Sequence, residues 1–333
     1  MPFKPPFWSP AQASGILFDW DGVIAETHLD FSGIRARYYA GRRAMLLEDA
    51  SALSDADRAS LMSDLEALEI AGANGASQVP GIDGVLEWVA ARGIPWAVVS
   101  RNCRESILTA AEQIGLTLPP IVRSRDDGDC VKPDPRALNE TAHSLGVEPR
   151  HTLFVGDFIY DMMGARRAGM RGVLVRERTE EGWLPWLECS LTNMEGFLRE
   201  LRSPSEFVPW EYHDAAEAMG RGFLAFAASL VIAMPQRTFR GMDRWLARAA
   251  SLGVGGFLAP NEIFSPVDWK ANPAFDPSCM GKSLASAARE FLRVRFPLAE
   301  VYDDAEAVSG APAAAEELEN FLWSLYKRHD ISI

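Results

Sequence analysis

The sequence predicts an α/β fold: a doubly wound parallel sheet with a small α-helical insertion, followed by a mainly α-helical C-terminal domain. Three observations carry this expectation. Short, continuous apolar runs alternate with segments of helical spacing as far as residue 177, the pattern of strands covered on both faces. Between Glu26 and Pro80 no strand-like run occurs, and two helical patterns stand instead. Past the proline-broken stretch "SPSEFVPW" (203–210), helical spacing dominates.

The elements follow in order. "GILFDW" (15–20), "PWAVVS" (95–100), "PPIVRS" (119–124), "HTLFVGD" (151–157) and "RGVLVRE" (171–177) are compact apolar runs and read as strands. "DGVLEWVAARG" (83–93), "CRESILTAAEQIGL" (103–116), "DPRALNETAHSLGV" (134–147) and "YDMMGARRAGM" (160–170) are helical in spacing and end near glycine. The insertion, about residues 26–80, holds helical patterns at 31–47 and 54–73. Beyond a linker at 203–210, helices are expected over 211–234, 238–253, 283–296 and 313–329, with a Gly/Pro-rich loop at 253–281. The expected organisation is a first domain at 1–202 and a helical domain of unassigned role at 211–333.

Composition narrows the functional classes. The 333 residues are 48% hydrophobic and 24% charged, with ample apolar material for a core. Net charge is −13 and no basic run occurs, which argues against nucleic acid as a partner. The proline-broken start "MPFKPPFWSP" lacks the apolar stretch of a secretory signal. The run "GFLAFAASLVIAM" (222–234) is too short to span a bilayer and is expected to be a buried helix. Cys103, Cys130, Cys189 and Cys279 show no paired or zinc-binding spacing, as in a cytoplasmic protein with reduced thiols.

The chemistry is expected where the strands end, because open α/β sheets bind ligands at the carboxyl ends of their strands. In "FDWDGV" (18–23) Asp19 and Asp21 follow the first strand, and alternation along an extended backbone points both side chains the same way. Like charges that close repel, and a hard cation such as Mg²⁺ between them would offset the repulsion. The second long run ends in Ser100, a later one leads to Asp157 and Asp161 in "GDFIYD", and Lys132 stands between them in "VKPDP". A hydroxyl, a lysine and several carboxylates are the groups that phosphoryl transfer uses.

This ordered set resembles the haloacid dehalogenase superfamily, whose four motifs would be "FDWDGV", "VVSRN", "VKPDP" and "VGDFIYD". The resemblance covers about residues 15–200. "KPDP" and the helical insertion look like subfamily I, phosphoglycolate phosphatase-like members with a helical cap. It implies a Rossmann-like core, Asp19 as nucleophile forming an aspartyl-phosphate, and Asp21 as general acid and then base. Ser100, Lys132 and, by position, Arg101 and Asn102 would hold the phosphate. Asp19, Asp21, Asp157 and the Trp20 carbonyl would surround Mg²⁺, and Asp161 would support the metal or Lys132 from behind. An acidic residue at Asp21 favours phosphoryl chemistry over carbon–halogen cleavage. Two positions depart from the family pattern: Arg101 separates Ser100 from Asn102, and Phe158 replaces a small residue.

The expected function is Mg²⁺-dependent hydrolysis of a small-molecule phosphate monoester. The alternatives are a phosphomutase or phosphotransferase of the same superfamily, and a non-catalytic scaffold that binds through its C-terminal helices. Those helices are the expected surface for covering a short cap's open site or for self-association. Asp126, Asp127 and Asp129 read as turn residues, and the five histidines as structural or surface groups, with His28 and Arg35 placed to face the site from the insertion. "MGKS" (280–283) lacks the leading glycine of a phosphate-binding loop.

Overall fold

The computed structural model describes residues 6–42, 44–234 and 240–303. The chain enters through β1 (Gly15–Phe18) and β2 (Ala25–Glu26), and the insertion follows as α1 (Ser32–Tyr39), α2 (Asp55–Ala73) and β3 (Ser77–Gln78). Next come α3 (Ile82–Ala91), β4 (Trp96–Val99), α4 (Arg104–Gln113), β5 (Val122–Arg123), α5 (Pro135–Ser144), β6 (Thr152–Gly156), α6 (Ile159–Ala168), β7 (Arg171–Val175), β8 (Cys189–Leu191) and α7 (Met194–Arg202). The C-terminal region holds α8 (His213–Met219), α9 (Arg221–Ala228), β9 (Val231–Ala233), α10 (Met242–Ser251), β10 (Gly256–Leu258), α11 (Pro266–Ala271), α12 (Leu284–Arg295) and β11 (Glu300–Tyr302).

The main sheet is parallel throughout, in the order β5-β4-β1-β6-β7-β8. Every residue of β1 is buried, because successive side chains feed opposite layers. Ile16 and Phe18 pack with α3, α4 and α7 through Val85, Ile107 and Phe197, whereas Leu17 packs with α5 and α6 through Leu138 and Ala165. Helix α5 starts where Asp134 accepts the Arg136 backbone N–H at 2.9 Å and Pro135 occupies the first turn, an arrangement that satisfies orphan donors at a helix start. From β1 the chain moves outward to β4 and β5, then returns to β6 and moves the other way. The reversal opens a crevice between the ends of β1 and β6.

The strand–helix alternation matches the sequence reading, with local differences. Strand β8 was not expected; at three residues it is too short to stand out from a loop. In the insertion, α1 stops at Ala40, whose φ is 51°, and the left-handed backbone ends the helix before residue 47. A strand does occur before Pro80: β3 pairs antiparallel with β2 at the insertion's base. The C-terminal region is mainly helical among the described residues, but β9, β10 and β11 form a small parallel sheet within it. The run 222–234 is therefore not one helix; it breaks after Ala228 and continues as β9. The loop at 253–281 contains β10 and α11. The helix expected at 313–329 lies outside the described residues.

The C-terminal region has its own core, with Phe275 between Phe264 and Phe291 at ring distances of 5.1 and 4.9 Å. It docks at the amino ends of the strands. Arg171, the first residue of β7 and fully buried, is held bidentately by Glu211 at 2.7 and 2.6 Å and approached by Glu188 at 3.3 Å. Arg150, just before β6, pairs with Glu300 at 2.6 Å. The described part of this region therefore does not cover the carboxyl ends of the strands, as the sequence reading had allowed. A buried charge that loses one partner is strongly destabilising. Glu211→Ala is accordingly expected to cost about 3–5 kcal/mol in urea unfolding; a loss under about 1 kcal/mol would mean that Glu188 alone satisfies the guanidinium.

Candidate active site

Asp19 follows β1 and Asp157 follows β6, so the sheet's reversal sets both at the mouth of the crevice, where Asp19 N–H donates to the Val155 carbonyl at 2.9 Å. Two glycines permit the close approach. Gly22 has a φ of +74°, and a Cβ there would lie 2.7 Å from Asp157 Oδ2. A Cβ on Gly156 would lie 2.3 Å from the Asp161 Cβ. Oxygens of Asp19, Asp157 and Asp161 come within 4.8 Å of one another.

Lys132 is 1% exposed, with its Nζ 2.6 Å from Asp19 Oδ1 and 2.8 Å from Asp161 Oδ1. Burial alone would lower its pKa, and pairing with Asp161 and Asp19 raises it instead. Asp19 Oδ1 also accepts the Trp20 N–H at 2.8 Å, and its Oδ2 has no partner among the described residues. Asp161 spends Oδ2 on the Phe158 N–H at 3.0 Å, so both of its oxygens are engaged. It positions Lys132 and caps α6, whereas Asp19 and Asp157 keep oxygen free for a cation.

Asp21 behaves differently. Its Oδ1 accepts from Thr27 N–H at 2.9 Å and Thr27 Oγ1 at 2.5 Å, and it stands apart from the three-carboxylate cluster. Burial raises its pKa, partly opposed by the Thr27 hydrogen bonds. Asp21, expected among the metal ligands, is thus placed against Thr27 and outside the three-carboxylate group. The Trp20 carbonyl accepts the N–H groups of Ile24 at 2.9 Å and Ala25 at 3.0 Å.

Ser100 follows β4, two residues past Val98, which pairs with Phe18. It is 4% exposed, and its Oγ accepts the Asn102 N–H at 3.1 Å. The Asn102 Nδ2 is buried without a hydrogen-bond partner, a donor that needs one. Arg101, expected to hold phosphate, has its guanidinium engaged within the protein. Glu48 of the insertion grips its guanidinium at 2.7 and 2.9 Å, it donates to the Lys132 carbonyl, and it lies 4.6 Å from the Tyr160 ring centroid. It ties the insertion to the core.

A second tie is deeper. Glu69 of α2 is buried, binds Arg125 at 2.6 and 3.0 Å, and accepts the Cys103 N–H at 2.8 Å. Glu48, Glu69, Arg125 and Thr27 were missed in the sequence reading, because each pairing spans a separation that no local motif reveals. Asp126 and Asp127 are turn residues as expected, accepting from the backbone of Arg104 and Ser124, each at 2.7 Å. Asp129 is an exposed neighbour of Arg136 at 3.7 Å. His28 is exposed and lies 3.5 Å from Glu26, and Arg35 packs 5.8 Å from the Phe31 ring.

With this geometry in place, comparison with known proteins is decisive. The family model of haloacid dehalogenase-like hydrolases matches residues 16–175. This segment belongs to that family. Its sheet, its four motif-bearing loops and its helical insertion are the features that the resemblance implied. A pyrophosphatase, PpaX, of Halalkalibacterium halodurans is 30% identical over 97 residues, 28% of this chain and 45% of that protein. A probable phosphoglycolate phosphatase of Pseudomonas putida is 30% identical over 97 residues, 28% of this chain and 38% of that protein. In both, the match spans less than half of the relative. The crystal structure of a hydrolase from Pseudomonas syringae aligns with 19% identity and a TM-score of 0.48, covering 57% of this chain and 99% of that one. No helix among the described residues is long and apolar enough to cross a membrane.

The carboxylates set a pH dependence. Burial and Asp161 push Asp19 up to about 7 despite Lys132, and burial with Asp161 and Asp19 pushes Asp157 up to about 8. Above about pH 4 the unfolded chain has released these protons while the folded protein retains them, so their stabilisation fades as pH rises through both values. Without divalent cation, the melting temperature is expected to fall between about pH 6 and pH 8.5, and Mg²⁺ added at the upper end to restore it. A flat profile in EDTA would contradict the crowding of these carboxylates.

Proposed function

We propose that the chain is a Mg²⁺-dependent phosphatase that hydrolyses a small-molecule phosphate monoester through an aspartyl-phosphate on Asp19. The observation that carries this reading is the charge arrangement at the β1/β6 crevice: a buried lysine fixes one oxygen of Asp19 and leaves the other open. Asp19 and Asp157 have the free hard oxygens that suit Mg²⁺. When bound, the ion would neutralise phosphoryl charge and draw the ester toward Asp19.

The chain's own groups supply the rest. Asp19 Oδ2 attacks phosphorus while the bond to the ester oxygen breaks. Asp21, its carboxyl raised by burial and oriented by Thr27, gives its proton to the departing oxygen. It then takes a proton from the water that attacks phosphorus and releases Asp19. Lys132 stabilises the phosphoryl oxygens, with Ser100 and the unpartnered Asn102 amide as further donors. The insertion, tied down by Glu48 and Glu69, limits water around the ester. Residues 1–202 form the catalytic domain in this reading, 203–210 the linker, and 211–333 a helical domain outside the reaction. The four cysteines are free thiols and buried, in keeping with a cytoplasmic setting. The phosphatase names of the two relatives support hydrolysis over transfer to another acceptor.

The test is release of inorganic phosphate from a panel of phosphate monoesters, with Mg²⁺ or EDTA. Activity should require the cation and fall at least roughly a thousandfold in Asp19→Asn, with the fold intact. Normal turnover by that variant would remove Asp19 as nucleophile. Failure of the cation-loaded wild type on every ester would turn the reading toward the transferase or the binding scaffold.

A further inference from the structure

Away from the aspartates, a cleft of about 780 Å³ lies between α6, the 181–186 turn and helices α8, α10 and α12. That size suits a small molecule, such sites running from about 300 to 1,000 Å³. Arg166, Arg167, Arg244 and Arg295 line it, and among the described residues none has a carboxylate in ion-pair range. Arg166 donates to the Pro185 carbonyl at 2.6 Å and stacks between Trp210 and Trp186, at 4.3 and 5.3 Å from their ring centroids. Arg295 donates to the Phe291 carbonyl at 3.2 Å and lies 4.7 Å from that ring. Arg167 donates to the Pro133 carbonyl at 3.3 Å and lies 5.9 Å from the Trp186 ring centroid. Among the described residues Arg244 makes no side-chain contact of this kind.

Such a cluster is unusual in a chain of net charge −13, whose Arg101, Arg125 and Arg171 are each clamped by a glutamate. The acids near it make no ion pair with these arginines among the described residues, although Glu188, Glu211 and Asp214 act on Arg166 from a distance. Glu211 is taken by Arg171, and Asp243 accepts the backbone N–H groups of Arg244 at 2.8 Å and Ala274 at 3.3 Å. Asp214 alone stands at the exposed rim. Guanidiniums held over aromatic rings, as those of Arg166 and Arg295 are, are partly ordered before a ligand arrives, and their donor forks match phosphate oxygens. The remaining wall is apolar and aromatic, with Trp186, Trp210 and Phe296, which suits a flat ring.

We propose that this cleft is a second ligand site, for a small phosphate-bearing molecule with an aromatic ring, of which a nucleoside monophosphate is the type. The site sits at the last turn of α6, whereas Asp161 lies in that helix's first turn. It shares no residue with the candidate active site, and it stands whether or not the phosphatase reading does.

The experiment is calorimetric titration of AMP into the full-length protein in EDTA, with adenosine and inorganic phosphate as separate probes. AMP is expected to bind saturably and more tightly than either fragment. Binding should weaken at least about tenfold in Arg244→Ala/Arg295→Ala and in the milder Arg295→Gln/Arg244→Gln, and remain unchanged in Asp19→Asn. Both arginines are exposed, so melting temperatures should hold, and the glutamine pair serves if the alanine pair does not fold. Absence of AMP binding at millimolar concentration would overturn the proposal. So would affinity unchanged in the arginine variants, or lost in Asp19→Asn, which would locate AMP among the aspartates. Equal affinity for phosphate alone would overturn the ring's part in recognition.

Discussion

The buried ammonium of Lys132 is the constraint around which the first part of this chain is arranged. Asp19, Asp157 and Asp161 converge where burial works against ionisation, and a lone lysine there would be as costly as the carboxylates without it. Paired with Asp19 and Asp161, Lys132 supplies a single positive charge against three acids. The deficit is what a divalent cation would fill. The loop chemistry follows: Gly22 and Gly156 give up side chains so that Asp157 and Asp161 can approach, and Asp161 spends its second oxygen on the start of α6.

The sheet's connectivity makes this meeting unavoidable. With β1 central and the chain leaving β1 and β6 in opposite directions, the residues after those strands have nowhere to face but the crevice between them. Arg171, at the other end of the sheet, repeats the arrangement with opposite sign. There one buried guanidinium is enclosed by Glu211 and Glu188, and burial lifts Glu188 to about 7 despite Arg171. The aspartate cluster stands at one end of the strands and the anchorage of the C-terminal region at the other.

How much of this could be read from the chain alone depended on range. The strands, their flanking helices and the motif-bearing loops were legible because burial on both faces writes itself as local apolar runs and turn residues. Asp19, Lys132, Asp157 and Asp161 were legible because their positions just past those runs already specify a common edge. Asp21 was assigned to the metal because alternation was assumed to continue past Phe18. In fact the backbone turns at Trp20, and Thr27 captures the carboxylate. The pairing of Arg101 with Glu48, distant in sequence, was not legible. Strands β9, β10 and β11, three residues each, are too brief to show a period, and in 222–234 the apolar composition hid the break between helix and strand.

The docking of the C-terminal region gives the protein an asymmetry of dependence. Leu298 belongs to the core of the main sheet, and Glu211 completes the pairing of Arg171. The aspartate-bearing sheet thus leans on residues that lie downstream of it. Sequence drift in the distal helices is free to reshape their outer surface without disturbing the aspartates. It is not free at Glu211 or Leu298, where the two parts share a foundation. During synthesis, β7 leaves the ribosome before the acid that will cover its arginine, so the sheet stays provisional until the chain has emerged past residue 211.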